Sequence, residues 1–403
     1  MTRPRFASVF SGAGGLDLGF EQAGWDCVYA SDLEPTAVET LRQNQLGRGR
    51  RWLQDAFLEQ TDIRLVRGRE VLAKAGYRKG DLFALVGGPP CQSWSSAGHQ
   101  LGFEDPRGRL FADYIRVASE LDVRWLVFEN VRGLLTARGR DGEPGSALEL
   151  IRRTLLDAGF QTEVNLLNAA DFGVPQRRVR LFMIGFRRGD HPPFPEPSHS
   201  NDADLLGDRD PWVTLRECLG GIRPPTGEEV IRPSARLLEQ LRRIPDGCGV
   251  RSPGKAESTR PGGHWGYKQG AFIADLALPA RTVTASSQQD WVRDPKIGLR
   301  RLCPRECAAI QTFPTSWEFV GNRSAQYRLI GNAVPPKLAR SIGTALKGHV
   351  ALAQHFRDSP KARRQELLPL RPTLVSAIEY TRRDGERNGE SRKAVSRRKQ
   401  RRA

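Results

Sequence analysis

The sequence predicts an α/β fold in which a mostly parallel sheet is followed by a smaller, irregular region, and three observations carry that prediction. In the first 186 residues, short apolar runs alternate with amphipathic segments in the manner of βαβ units. A glycine turn follows the first apolar run and opens a helix. After Phe186 the chain is rich in Pro, Gly and Ser for about 90 residues, too long for an ordinary loop and better read as a separate small domain.

Arg5 to Phe10 reads as the first strand, and a helix follows from about Gly15 to Ala23 with Gly24 as its C-cap. Cys27 to Ala30 is a second strand. Asp81 to Val86 and Val123 to Glu129 are two more, separated by a loop and a helix from about Arg107 to Leu121. A helix over Ser146 to Ala158 leads to strands at Gln161 to Leu167 and Val179 to Phe186. His191 to Pro197, Ile222 to Thr226 and Pro245 to Gly270 carry too many prolines and glycines for much regular structure. Helical patterning resumes at Pro304 to Thr312 and Pro336 to Leu346. Beyond Val350 the chain is charged and poor in apolar residues, with disorder expected from about Tyr380. The expected division is 1–186 with 281–350, then 187–280, then a basic tail over 351–403.

With 403 residues and 38% hydrophobic content, the chain can bury a full core. Six scattered cysteines, no secretory signal and no long apolar segment point to a reducing cytoplasm, away from the membrane. The net charge of +17 favours a polyanionic partner. Of the 63 basic residues ten are lysine, leaving 53 arginines. Arginine forks suit phosphates and guanine edges, although a GC-rich coding sequence gives the same bias.

Cys91 stands after Gly87-Gly88-Pro89-Pro90 at the end of a buried run, where a thiol can reach a substrate as a nucleophile. A buried thiol serving as a small hydrophobe is the alternative, and the polar, turn-forming flank argues against it. Phe10-Ser11-Gly12-Ala13-Gly14-Gly15 lies between a strand and a helix, so its N–H groups and the helix dipole can hold an anionic group. Asp32 ends the next strand, where an acid accepts hydrogen bonds from a ribose. Asp17 replaces the third glycine of a dinucleotide fingerprint, which points to an adenosine-type cofactor other than a nicotinamide. Glu129 ends another strand, at the same sheet edge as Cys91. Arg178 and Arg180 share a strand face and can clamp a phosphate or carbonyl oxygen, ordinary surface ion pairing being the alternative. Ser95 to Arg107, with Gly98 and Gly102, reads as a mobile loop after Cys91 that could close over the site and exclude water, an ordinary surface loop being the alternative. Cys303 and Cys307 lie one helical turn apart without a histidine nearby, which fits buried helix contacts better than a metal site. No metal is expected.

In this order the motifs resemble the DNA (cytosine-5)-methyltransferases of the prokaryotic modification type. Phe10 to Asp17, Gly88 to Ser93, Glu129-Asn130-Val131, Gln176 to Arg180, Arg281-Thr282-Val283-Thr284 and Gln326 to Pro336 stand in the family's sequence. The resemblance implies a Rossmann-like class I methyltransferase core, a target-recognition domain over 187–280, and S-adenosyl-L-methionine as cofactor. It implies that Cys91 attacks C6 of a flipped cytosine in duplex DNA, that Glu129 acts on N3 and Arg180 near O2, with Arg178 beside them. It assigns the cofactor to Phe10, Ser11, Gly12, Ala13, Gly14, Gly15, Leu16, Asp32, Leu33, Asp62, Ile63, Pro89, Leu110, Asn332, Ala333 and Val334. The family commonly has glutamate where this chain has Asp32, and Asp55 competes with Asp62 for its place. Arg251, Arg260, His264, Trp265, Tyr267 and Lys268 are candidates for reading bases. A monomer is expected, with a restriction endonuclease acting on the same site and no direct contact between the two. A transfer-RNA cytosine-5 methyltransferase and a non-catalytic DNA-binding protein on the same fold are the competing readings.

Overall fold

The computed structural model describes residues 3–46, 52–90, 106–139, 141–187, 191–201, 207–254, 270–354 and 366–383. Its first half runs Arg5–Val9 (β1), Gly15–Gln22 (α1), Asp26–Asp32 (β2), Pro35–Leu46 (α2), Phe57–Gln60 (β3), Gly68–Ala75 (α3), Ala84–Gly87 (β4) and Pro106–Leu121 (α4). Trp125–Val131 (β5), Ser146–Asp157 (α5), Gln161–Asn168 (β6) and Val179–Phe186 (β7) complete it. The seven strands form one sheet in the order β3-β2-β1-β4-β5-β7-β6. The first five pair in parallel, and β7 runs antiparallel to both of its neighbours. The order reverses beside β1, between β2 and β4, and ligands of open α/β sheets bind at the carboxyl ends of strands at such a point.

Two apolar cores cover the two faces of the sheet. On one, Val71 and Leu72 of α3, Phe111 and Tyr114 of α4, and Ile151 and Leu155 of α5 pack together. The other holds Leu16, Leu18 and Phe20 of α1 with Leu338, Ala339 and Ile342 from Pro336–Gln354, a helix that returns from the far end of the chain. That return needs a small residue on α1: a Cβ on Gly19 would lie 2.3 Å from Ala339 Cβ and 2.5 Å from the Pro336 carbonyl oxygen.

The second half contains His199–Ser200 (β8), Asp210–Pro211 (β9), Leu215–Gly220 (α6), Ala235–Arg242 (α7), Trp291–Asp294 (β10) and Gly298–Arg301 (β11). Pro304–Ile310 (α8), Arg323–Asn332 (α9) and Pro336–Gln354 (α10) follow. Leu241, Ile244, Ile273 and Trp291 form a small separate core. Ile273 pairs with Trp291 and Ile231 with Arg301, so the ladder of this irregular region extends past residue 280. Arg300, 3% exposed, links it to the main body through Asp294 at 2.9 Å and Glu306 at 2.8 Å. Cys303 and Cys307 are both buried, and burial pushes the Cys303 thiol up to about 12.

Residues 372–383 form a last helix, α11, in a segment whose sequence offered little apolar pattern. Leu374 is buried there, Ile378 lies against Gly145, and Arg371 pairs with Glu163 at 2.8 Å. The segment therefore covers α5 and the edge strand β6. Among the described residues no helix is long and apolar enough to cross a membrane.

Candidate active site

The turn after β1 is built from backbone that side chains rarely adopt. Phe10, Gly12 and Gly14 have φ of 56°, 54° and 78°, in the left-handed region where glycine carries no Cβ penalty. The turn is closed by Gly14 N–H donating to Ser11 O at 2.9 Å, and it is tied to β2 by Ser11 N–H donating to Ser31 O at 3.1 Å. Gly14 caps α1 without a side-chain acceptor, leaving helix N–H groups for an outside partner.

Asp32 lies beside this turn. Its carboxylate accepts from Gly12 N–H at 2.8 Å and Glu34 N–H at 2.9 Å. Burial raises its pKa and the two backbone donors oppose the rise. Next to it Leu33 is 62% exposed, an apolar side chain standing in solvent at the sheet edge. Thr61 N–H donates to Asp32 O at 3.0 Å and carries the chain to Asp62 on the same edge, whereas Asp55 precedes β3 at its opposite end. The Asp62 carboxylate takes an ion pair from Arg64 at 2.5 Å, which holds its pKa below the usual range. Ile63 and Pro89 are buried, and Leu110 packs half-buried against the α4 core.

Asn332, Ala333 and Val334 arrive at the glycine turn from more than 300 residues away. A Cβ on Gly15 would stand 2.1 Å from Val334 O and 3.3 Å from Ala333 Cβ, so the two segments meet with no room for a side chain. Asn332 is exposed at this junction, and Ala13 and Leu16 are buried under it. Asp17 also lies underneath, wholly buried, and burial pushes its pKa up to about 7, with the nearby Ser8 hydroxyl opposing the shift.

At the next strand ends, Glu129 Oε1 and Arg180 Nε are 3.2 Å apart, with side chains 12% and 14% exposed. The register explains the meeting: Val131 pairs with Arg180 and Glu129 with Phe182, so acid and base are diagonal neighbours on antiparallel strands. Burial raises the Glu129 pKa, and Arg180 and then Arg178 oppose the rise. A Cβ on Gly88 would lie 3.0 Å from Glu129 Oε2, and Asn130 Nδ2 donates to Pro89 O at 3.0 Å. The Gly88-Pro89-Pro90 segment is thus pinned over the carboxylate. Cys91 follows immediately and lies outside the described residues, as do Arg260, His264, Trp265, Tyr267 and Lys268.

Arg178 corrects an expectation. It was expected beside Arg180 as a second clamp on a ligand, but it is 1% exposed and its guanidinium is committed to the backbone. It donates to Val283 O at 2.9 Å, Gly331 O at 2.8 Å and Ala333 O at 3.0 Å. A buried cation answered by carbonyl oxygens positions the chain around it. Gln176 and Gln311 complete this hub, which sequence reasoning missed. Gln176 accepts from Val283 N–H and donates to Gln311 Oε1, each at 2.8 Å, while Gln311 donates to Ile330 O at 2.7 Å. A Cβ on Gly331 would lie 2.1 Å from the Thr284 carbonyl carbon. Residues 176–180, 282–284 and 330–333 are therefore locked together behind the Glu129–Arg180 pair. Gln176 and Asn130 lay inside quoted motifs, but nothing in the sequence marked Gln311.

The chain matches the C-5 cytosine-specific DNA methylase family model over residues 4–348. It is similar to the Type II methyltransferase M.FnuDI of Fusobacterium nucleatum, 31% identical over 374 residues that span 85% of this chain and 94% of that one. The Type II methyltransferase M1.HphI of Haemophilus parahaemolyticus is 32% identical over 352 residues, covering 85% and 86% of the two chains. A DNMT2 mutant structure from Spodoptera frugiperda superposes with a TM-score of 0.60 at 19% identity, covering 85% of this chain and 99% of that one, a likeness of fold. With a switch-point glycine turn, a buried acid–arginine pair and a match across nearly its whole length, the chain belongs to the C-5 cytosine-specific DNA methylases, which are DNA (cytosine-5-)-methyltransferases.

Proposed function

We propose that this chain transfers a methyl group from S-adenosyl-L-methionine to C5 of a cytosine turned out of a specific duplex DNA site, through a covalent Cys91–C6 bond. The observation that carries the reading is the Glu129 carboxylate, paired with Arg180 and lying under the Gly88-Pro89-Pro90 segment that leads into Cys91. In this reading the Cys91 sulfur adds to C6 while Glu129 donates its proton to N3 and Arg180 holds O2. Burial of Glu129 favours the protonated form that such a donor needs. Loss of the C5 proton and expulsion of the Cys91 thiolate then restore the ring double bond. Because C5 and C6 are shielded within the base stack, the base must leave the duplex, at a cost of about a few kcal/mol.

The residues present fit the cofactor. Leu33 offers an apolar surface for an adenine ring beside Asp32, whose remaining lone pairs can accept from ribose hydroxyls. The open N–H groups of α1 face the same junction as Asn332. When bound, S-adenosyl-L-methionine supplies an electrophilic methyl on a sulfonium, to be taken up at C5. The region around 187–280 serves as the recognition domain. The naming of the relatives as Type II methyltransferases supports a role as the modification partner of a restriction endonuclease.

The test is methyl transfer from labelled donor to duplex DNA and, in parallel, to transfer RNA, with bisulfite mapping of the product. Label at C5 of cytosine within one short duplex site is expected. Label only in transfer RNA, or on adenine, would overturn the proposal.

A further inference from the structure

Away from the acid–arginine pair, the described residues contain a cleft of about 1010 Å³ at one end of the small ladder. Its walls are α7 with the segment to Pro253 on one side and residues 281–290 on the other. Gly249 pairs antiparallel with Phe272, and Ile273 pairs in parallel with Trp291. A Cβ on Gly270 would lie 3.3 Å from the Arg251 side chain, and Arg251 and Gln288 both line this cleft.

The two side chains are exposed while their supports are braced. Among the described residues, no hydrogen bond holds the side-chain end of Gln288 or Arg251. Beside Gln288, buried Gln289 braces the loop by donating to Thr284 O at 2.8 Å and to Ser286 O. Arg281 is held on the wall by Asp290 at 3.6 Å and by the Phe272 ring at 4.1 Å. Residues 282–284 are fixed to the main body by Gln176, Arg178 and the close approach of Gly331. Two unengaged forked side chains on a rigid frame are what base-edge recognition requires, because a reader must keep its donors for the ligand.

We propose that this cleft reads the DNA sequence beside the target cytosine, with Gln288 and Arg251 as its two base-reading side chains. The inference rests on the reading under Proposed function. An arginine fork matches the N7 and O6 acceptors of guanine, and a glutamine amide matches N7 and N6 of adenine.

The test compares the intact protein with its Gln288→Ala, Arg251→Ala and Gln288→Glu variants on duplexes with randomised bases around a cytosine, scored by bisulfite sequencing. Each alanine variant should lose discrimination at one base position, a different one for each, by roughly tenfold or more. Gln288→Glu should move the preference at its position toward cytosine, whose N4 donates. A lower rate with an unchanged site pattern in all three would overturn the proposal, since contacts to phosphate act alike on every sequence. Failure of the unaltered protein to methylate any DNA cytosine would instead overturn the parent reading.

Discussion

Replacing Gly15 with alanine tests the meeting of the glycine turn with the Asn332 segment. The added Cβ would stand 2.1 Å from Val334 O and 3.2 Å from Phe313 Cζ. Relief requires the two segments to part by roughly 1 Å or more, because non-bonded heavy atoms settle at about 3.5 Å. Gly15 is not among the left-handed positions, so the effect is steric and free of backbone strain. Overpacking of this kind costs about 1–3 kcal/mol of stability. A displacement near 1 Å at a reacting centre costs up to about a hundredfold in rate. Gly12→Ala is the control: nothing lies within 4 Å of its Cβ, and only its φ of 54° resists. That control should lose about 1–2 kcal/mol. Calorimetric titration with S-adenosyl-L-methionine, alongside denaturant unfolding, should show Gly15→Ala weakening donor binding more than tenfold and Gly12→Ala less so. Unchanged donor affinity and stability in Gly15→Ala would refute the contact.

Three further outcomes follow from the buried groups. Burial raises the Glu129 pKa, so a rate that needs its proton should fall as pH rises through that value; Glu129→Gln should lower turnover and erase this limb, and an identical pH profile in the variant would remove its role as donor. Gln311→Leu removes one donor from Ile330 O and leaves the buried Gln176 amide N–H without its acceptor, so unfolding should show a loss of about 2–4 kcal/mol, and a loss under about 1 kcal/mol would disprove the hub. Asp17 has a pKa near 7 when folded against 3.8 otherwise, so its contribution is fully present below pH 3.8 and lost as pH rises through 7. Asp17→Asn should therefore be spared a loss on the order of 3–4 kcal/mol between pH 4 and 8.5; parallel stability curves for the two proteins would count against burial of the charge.

The strands that carry chemistry were legible because a fully buried parallel strand is a continuous apolar run, as at Leu82 to Val86 and Trp125 to Phe128. Their order in the chain, with the glycine turn and two acids at strand ends, sufficed to place Asp32 and Glu129 on one edge. Sequence reading passed over α2, β3, α3 and α9. In α2 only Ala37, Val38 and Leu41 supply buried apolar contact, and β3 lies at the sheet edge with Phe57 exposed. Both lack the periodicity that marks an element. The reversal of β7 was also hidden, since an apolar strand reads alike in either direction. Arg178 and Arg180 look equivalent in sequence, and they diverge because one is enclosed by carbonyls from 283, 331 and 333 while the other meets Glu129. Gln311 acquires its role only through partners 135 and 19 residues distant.

The most direct measurement is mechanism-based trapping. Duplex DNA carrying 5-fluorocytosine at the methylated position, incubated with the protein and S-adenosyl-L-methionine, should yield a complex that survives denaturation, because fluorine on C5 cannot leave as a proton does. Peptide mapping should place the cross-link on Cys91, and Cys91→Ser should abolish it while DNA binding persists. A trapped complex attached elsewhere, or methyl transfer by Cys91→Ser at the rate of the unaltered protein, would contradict covalent catalysis through this thiol.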